Sequence, residues 1–91
     1  MPCISMFYGL LIYLYPKDNR GHHEPHVHVI YQDYEAVFSI NTGKLLSGKL
    51  PPKKIRLIEL WIDLRQDDLL ADWQLAIQGD DIFKIKPLEV N

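Results

Sequence analysis

All four histidines of the chain, His22, His23, His26 and His28, lie within the stretch GHHEPHVHVIY, Gly21 to Tyr31. Imidazole titrates near neutral pH, so it can ligate a metal, move a proton or simply hydrogen-bond. Three chemistries fit the spacing. In the first, His26 and His28 hold zinc with His22, His23 or Glu24 from the preceding loop, and three protein ligands leave a position for water. No HExxH or CxxC spacing accompanies them. In the second, the histidines do metal-free acid–base work on a phosphodiester, one taking a proton and another returning it. Lys17, Arg20 and the basic residues from Lys44 to Arg56 then hold the phosphate charge. In the third, the cluster satisfies turns or lines a protein interface without catalysis.

These side chains need a strand and a loop to place them. His26 to Gln32 reads as a strand, and successive strand side chains point to opposite faces. Val27, Val29 and Tyr31 form the expected buried set, which leaves His26 and His28 facing outward. Strand rise puts two such histidines roughly 6–7 Å apart at Cβ, close enough to share one metal or one phosphate. Pro25 stiffens the entry, and His22 and His23 sit in the loop before it.

The rest of the chain reads as strands followed by helices. Met6 to Tyr15 is aromatic and aliphatic, as a central strand would be. Gly9 interrupts it with a bulge or a tight turn between two short strands. Pro16 to Gly21 is a loop, Tyr34 to Ile40 a strand, and Asn41-Thr42-Gly43 a hairpin signal before a short strand from Lys44 to Leu50. Pro51-Pro52 opens a helix. Its broad apolar surface (Ile55, Leu57, Ile58, Leu60, Trp61, Ile62, Leu64) leaves only Arg56, Glu59 and Asp63 as a polar strip. A helix this apolar needs cover from the sheet and from a second helix or a partner chain. Asp67-Asp68 can cap a second helix, lined inside by Leu69, Trp73, Ala76 and Ile77 and stopped at Gly79. The expected fold is therefore α+β, a small antiparallel sheet of about four strands with two helices packed on one face. Ninety-one residues make one domain over 1–91. It is mainly β over 1–50, carries two helices over 51–79, and ends in an extended tail over 80–91 that can form an edge strand.

Composition narrows the class. Hydrophobic residues make up 47% of the chain and charged residues 24%, which fits a packed domain and not a disordered one. Cys3 is the only cysteine, so no internal disulfide forms. The N-terminal apolar run lacks a basic flank and is far short of the ~20 residues that span a bilayer. It is read as strand, with a cytoplasmic setting and no membrane partner. Charge is uneven. Residues 17–56 hold seven Lys and Arg against four Asp and Glu, and residues 57–91 hold three against eight. The net charge of -2 argues neither for nor against nucleic acid. Tyr8, Tyr13, Tyr15, Tyr31 and Tyr34 can stack bases, and equally suit sheet packing. Lys53, Lys54 and Arg56 open a helix where the dipole disfavours cations.

Taken together, several stretches resemble one family. They are Ile4 to Gly9, His22-His23-Glu24-Pro25-His26-Val27-His28-Val29, Tyr34 to Phe38, Thr42-Gly43, Gly48 to Pro51, and Leu60-Trp61. From about Pro2 to Gly79 the chain is similar to a small bacterial family catalogued as domain of unknown function 4160. Of its motif, His23, Pro25, His26 and His28 carry over, while His22 lies just before the matched pattern. The resemblance implies a bacterial cytoplasmic protein with a cognate small protein encoded nearby, in a pair of the toxin–antitoxin kind. As a toxin, it would be a ribonuclease without a cofactor, and RNA would be its substrate. His23, His26 and His28 would then be catalytic, and Lys17 or Arg20 would bind phosphate. As a regulator or antidote it would be non-catalytic, binding protein or nucleic acid, with a structural or zinc-binding histidine cluster. Helix 53–66 would be its docking surface, or the seam of a homodimer.

Overall fold

The computed structural model describes residues 3–16 and 24–89. Five strands, β1 (Cys3–Phe7), β2 (Leu10–Tyr13), β3 (His26–Tyr31), β4 (Tyr34–Ser39) and β5 (Leu45–Gly48), form one antiparallel sheet in sequential order. Two helices follow, α1 (Pro52–Leu64) and α2 (Gln66–Ile77). The α+β class is as expected, with five strands in place of about four. The added strand comes from Gly9. Phe7 pairs with Leu10, so Tyr8 and Gly9 make a two-residue hairpin turn, with φ of 48° and 78°. Paired positive φ values match the type I′ turn that suits strand twist.

Cross-strand partners share a face of the sheet. Ile12, Val29 and Ala36 line up across β2, β3 and β4, beside Val27 and Phe38. This face packs on Ile58, Trp61 and Ile62 of α1 and on Leu69 and Trp73 of α2, in one core cluster. Phe7 and Trp61 meet ring to ring at 5.3 Å. Burial of this face is the main force holding the helices down. Capping contributes little to α1, which has no side-chain cap and no acidic residue in its first turn. On α1, Arg56 and Asp63 are exposed, Glu59 is half-buried, and Leu60 and Leu64 also face solvent. Asp67 and Asp68 do not cap α2. They lie inside its first turn, where the dipole favours them, and Arg65 holds the N-cap position.

Gly48 ends β5 at φ 84°, and a Cβ there would overlap the Glu35 carbonyl oxygen. Only glycine fits that approach. Past Gly79, the tail returns across the helices to β1. Asp72 Oδ1 accepts the Phe83 N–H at 3.0 Å, and the Ile85 N–H donates to the Ile4 carbonyl at 2.8 Å. Trp61 Nε1 and Arg65 Nε both donate to the Lys86 carbonyl, at 2.9 and 3.1 Å. The tail is thus strapped to β1 without forming a strand. No described helix is long and apolar enough to cross a membrane.

Candidate functional site: a buried histidine pair

His26 and His28 share one face of β3, as the alternation requires, but they do not face solvent. His26 is 0% exposed and His28 is 3% exposed. The expectation of an outward-facing pair is therefore corrected. Its reasoning took one covered face to mean one open face. β3 is the central strand of five, and Val27 and Val29 on its other face are fully buried as well. Both faces of its first half lie inside the protein.

The surroundings of the pair explain this. Tyr13 and Val37 are the cross-strand partners of His28, and Ser39 is the partner of His26. Tyr15, just beyond β2, lies edge-on to His28 with ring centroids 4.6 Å apart, and it stacks on Tyr13 at 5.9 Å. His26 meets the Trp73 ring of α2 at 5.1 Å and the His28 ring at 5.3 Å. His26 Nδ1 lies 2.8 Å from the Glu24 carbonyl oxygen. A carbonyl can only accept, so Nδ1 carries the proton and the ring orientation is fixed.

Polar bonds tie the chain entering β3 to the exit of β4. Ser39 Oγ donates to Glu24 Oε2 at 2.8 Å and accepts the Thr42 N–H at 3.2 Å. Pro25 supplies the carbonyl for the Ile40 N–H at 2.9 Å. Burial of the Tyr15 ring, then Tyr13, Glu35 and Cys3, pushes its phenol above the usual tyrosine range.

His23, Lys17 and Arg20, the other proposed catalytic and phosphate-binding residues, lie outside the described residues, as does His22. Among the described residues, no three His, Cys, Asp or Glu side chains come together to hold a metal. A cavity of about 440 Å³ opens between Leu14, Pro16, Ala76 and Gly79 to Ile82, and neither His26 nor His28 lines it.

Sequence reasoning missed Asp72. This α2 carboxylate is 2% exposed, and its Oδ2 has no partner among the described residues. Burial, reinforced by Asp68, raises its pKa against the pull of the Phe83 N–H. The one available signal was an aspartate on the inner face of a helix, beside Leu69 and Trp73.

No curated protein and no solved structure matches the chain. A family model does match, over residues 9–74, which is more than half of the chain. It takes in the histidine pair, Ser39, Gly48 and Trp73, and most of both helices. The protein belongs to the family described as Domain of unknown function (DUF4160).

Proposed function

We propose that the protein is a non-catalytic binding module, one member of a two-protein regulatory pair of the toxin–antitoxin kind, in which His26 and His28 hold the sheet together. The observation that carries this reading is the burial of both rings, at 0% and 3% exposure. A general acid or base must come within hydrogen-bond reach of the proton it moves. Neither ring is presented to a phosphodiester. A fixed Nδ1, aromatic neighbours on two sides and a covered face are what a structural pair needs.

The competing reading is a metal-independent ribonuclease in which one ring takes the 2′-hydroxyl proton and the other protonates the leaving oxygen. One observation favours it: the two rings lie 5.3 Å apart, close enough to serve one phosphate. It requires the cover over β3 to open.

The test is co-purification with the product of the adjacent gene, alongside an RNA-cleavage assay on the protein alone. The variants are His28→Gln and His26→Asn, assayed below their melting temperatures. The binding module forms a complex with its partner, cleaves no RNA, and keeps its partner in both variants while they are folded. RNA cleavage by the wild type, abolished in folded variants, would replace this reading with the ribonuclease.

A further inference from the structure

The end of the sheet opposite the Ser39–Gly43 turn gathers aromatic and basic side chains from two hairpins and a helix. Tyr8 lies in the β1–β2 turn, Tyr31 and Tyr34 flank the β3–β4 turn, and Lys54 comes from the first turn of α1. Lys54 Nζ donates to the Tyr8 carbonyl at 2.8 Å, and the same ammonium lies 4.7 Å from the centre of the Tyr31 ring. Tyr31 and Tyr34 are near-parallel at 20°, with centroids 6.3 Å apart. Gln32 Nε2 donates to the Tyr31 hydroxyl at 3.3 Å. Lys54 therefore links the β1–β2 turn to the Tyr31 ring. Tyr8 remains 47% exposed and Tyr34 41% exposed.

Two features of this end oppose ordinary folding preferences. Tyr8 and Gln32 hold φ of 48° and 52°, a region that bulky side chains seldom adopt and that asparagine or glycine would occupy at less cost. Lys53 and Lys54 open α1 where the helix dipole disfavours cations. Lys53 and Arg56 are exposed beside Lys54. Lys49 is exposed too, its amide donating to the carbonyl of Glu35, next to Tyr34. Asp33 and Glu35 are the acidic residues at this end, set against Lys49, Lys53, Lys54 and Arg56, so the local balance is basic in a chain of net charge -2.

Two exposed tyrosines at an end of the sheet that also carries exposed cations match a ligand with flat aromatic faces and a polyanionic backbone. We infer that this tyrosine–lysine end binds single-stranded nucleic acid, with bases stacked on Tyr8 and Tyr34 and phosphates held by Lys49, Lys53 and Arg56. Stacking on aromatic side chains tolerates any base, and the phosphate contacts make binding salt-dependent. A duplex keeps its bases stacked on each other and cannot use the rings. This surface is separate from the histidine pair, and the inference stands whether or not the protein has a protein partner.

The experiment is fluorescence anisotropy of the full chain with labelled oligouridylate, oligothymidylate and a DNA duplex, at low and moderate salt. The variants are Tyr34→Ala and Tyr8→Asn, the second chosen because asparagine accepts the left-handed turn. Their melting temperatures are measured in parallel. The expected result is binding of one or both single strands over the duplex, weakened by salt, and weakened about fivefold or more by each variant, as one lost stack implies. Binding to the RNA strand alone would make RNA the ligand, and binding to both would make it any single strand. Failure to bind either strand overturns the inference. So does equal binding to the duplex, or affinity unchanged by both folded variants.

Discussion

Replacing His26 by alanine tests the packing argument through stability. The ring is fully buried and touches Trp73 and His28, and its Nδ1–H is the donor to the Glu24 carbonyl. Truncating a buried aromatic ring to alanine costs about 3–5 kcal/mol. Imidazole is smaller than phenyl, so roughly 3 kcal/mol is the packing share. The stranded Glu24 carbonyl adds about 1 kcal/mol. A chain of this length has about 5–14 kcal/mol in total. A loss of about 3–4 kcal/mol lowers the melting temperature by roughly 12–30 °C. His26→Asn keeps a donor near the position of Nδ1 and should recover about 1 kcal/mol. Urea unfolding followed by Trp61 and Trp73 fluorescence reads both values. A solvent-facing histidine would change stability by no more than about 0.5 kcal/mol. A loss that small for His26→Ala would refute the burial and the role assigned to the ring.

Other perturbations follow the same logic. Asp72 has a folded pKa above its unfolded value, so its protonated form favours the fold. That contribution is fully present below the ordinary aspartate range and is lost as pH rises through the folded pKa. Asp72→Asn should therefore gain stability relative to the wild type between acidic and neutral pH. Melting curves that keep a constant separation across that range would contradict the assignment. Gly48→Ala should cost about 2–4 kcal/mol, from the left-handed φ and the overlap with Glu35. A midpoint unchanged in urea would show that the β4–β5 approach is looser than described. Ser39→Ala removes the donor to Glu24 and the acceptor for the Thr42 N–H, and should cost about 1–2 kcal/mol in the same assay. Trp61→Phe keeps the core ring but removes the donor to the Lys86 carbonyl. Faster amide exchange at Ile85 is expected, and unchanged exchange would mean the tail is held elsewhere.

Much of the fold was legible because local chemistry declares it. Asn41-Thr42-Gly43 marked a turn, Pro51-Pro52 marked the start of α1, and the change of hydrophobic period after Lys53 separated sheet from helices. Gly9 left a bulge and a turn both open, because Tyr8, an unfavourable residue for a type I′ turn, hid the hairpin. The histidine face was misread for a different reason. Alternation says that His26 and His28 share a face, but not what lies over that face. The cover comes from Tyr15, two residues beyond its β2 partner position, and from Trp73, on the second helix. Neither relation has a local signature. The tyrosine–lysine end was equally hidden, since Tyr8 and Lys54 are 46 positions apart and meet only when the sheet and α1 pack.

The decisive property of the site is the burial of His26 and His28. It is tested most directly by diethyl pyrocarbonate labelling of the native protein, with each histidine read by mass spectrometry. Both rings should stay unmodified while the protein is folded and react on unfolding in urea. Modification of His26 and His28 in the folded protein at the rate of a free imidazole would contradict it, and would return the pair to the role of solvent-facing acid and base.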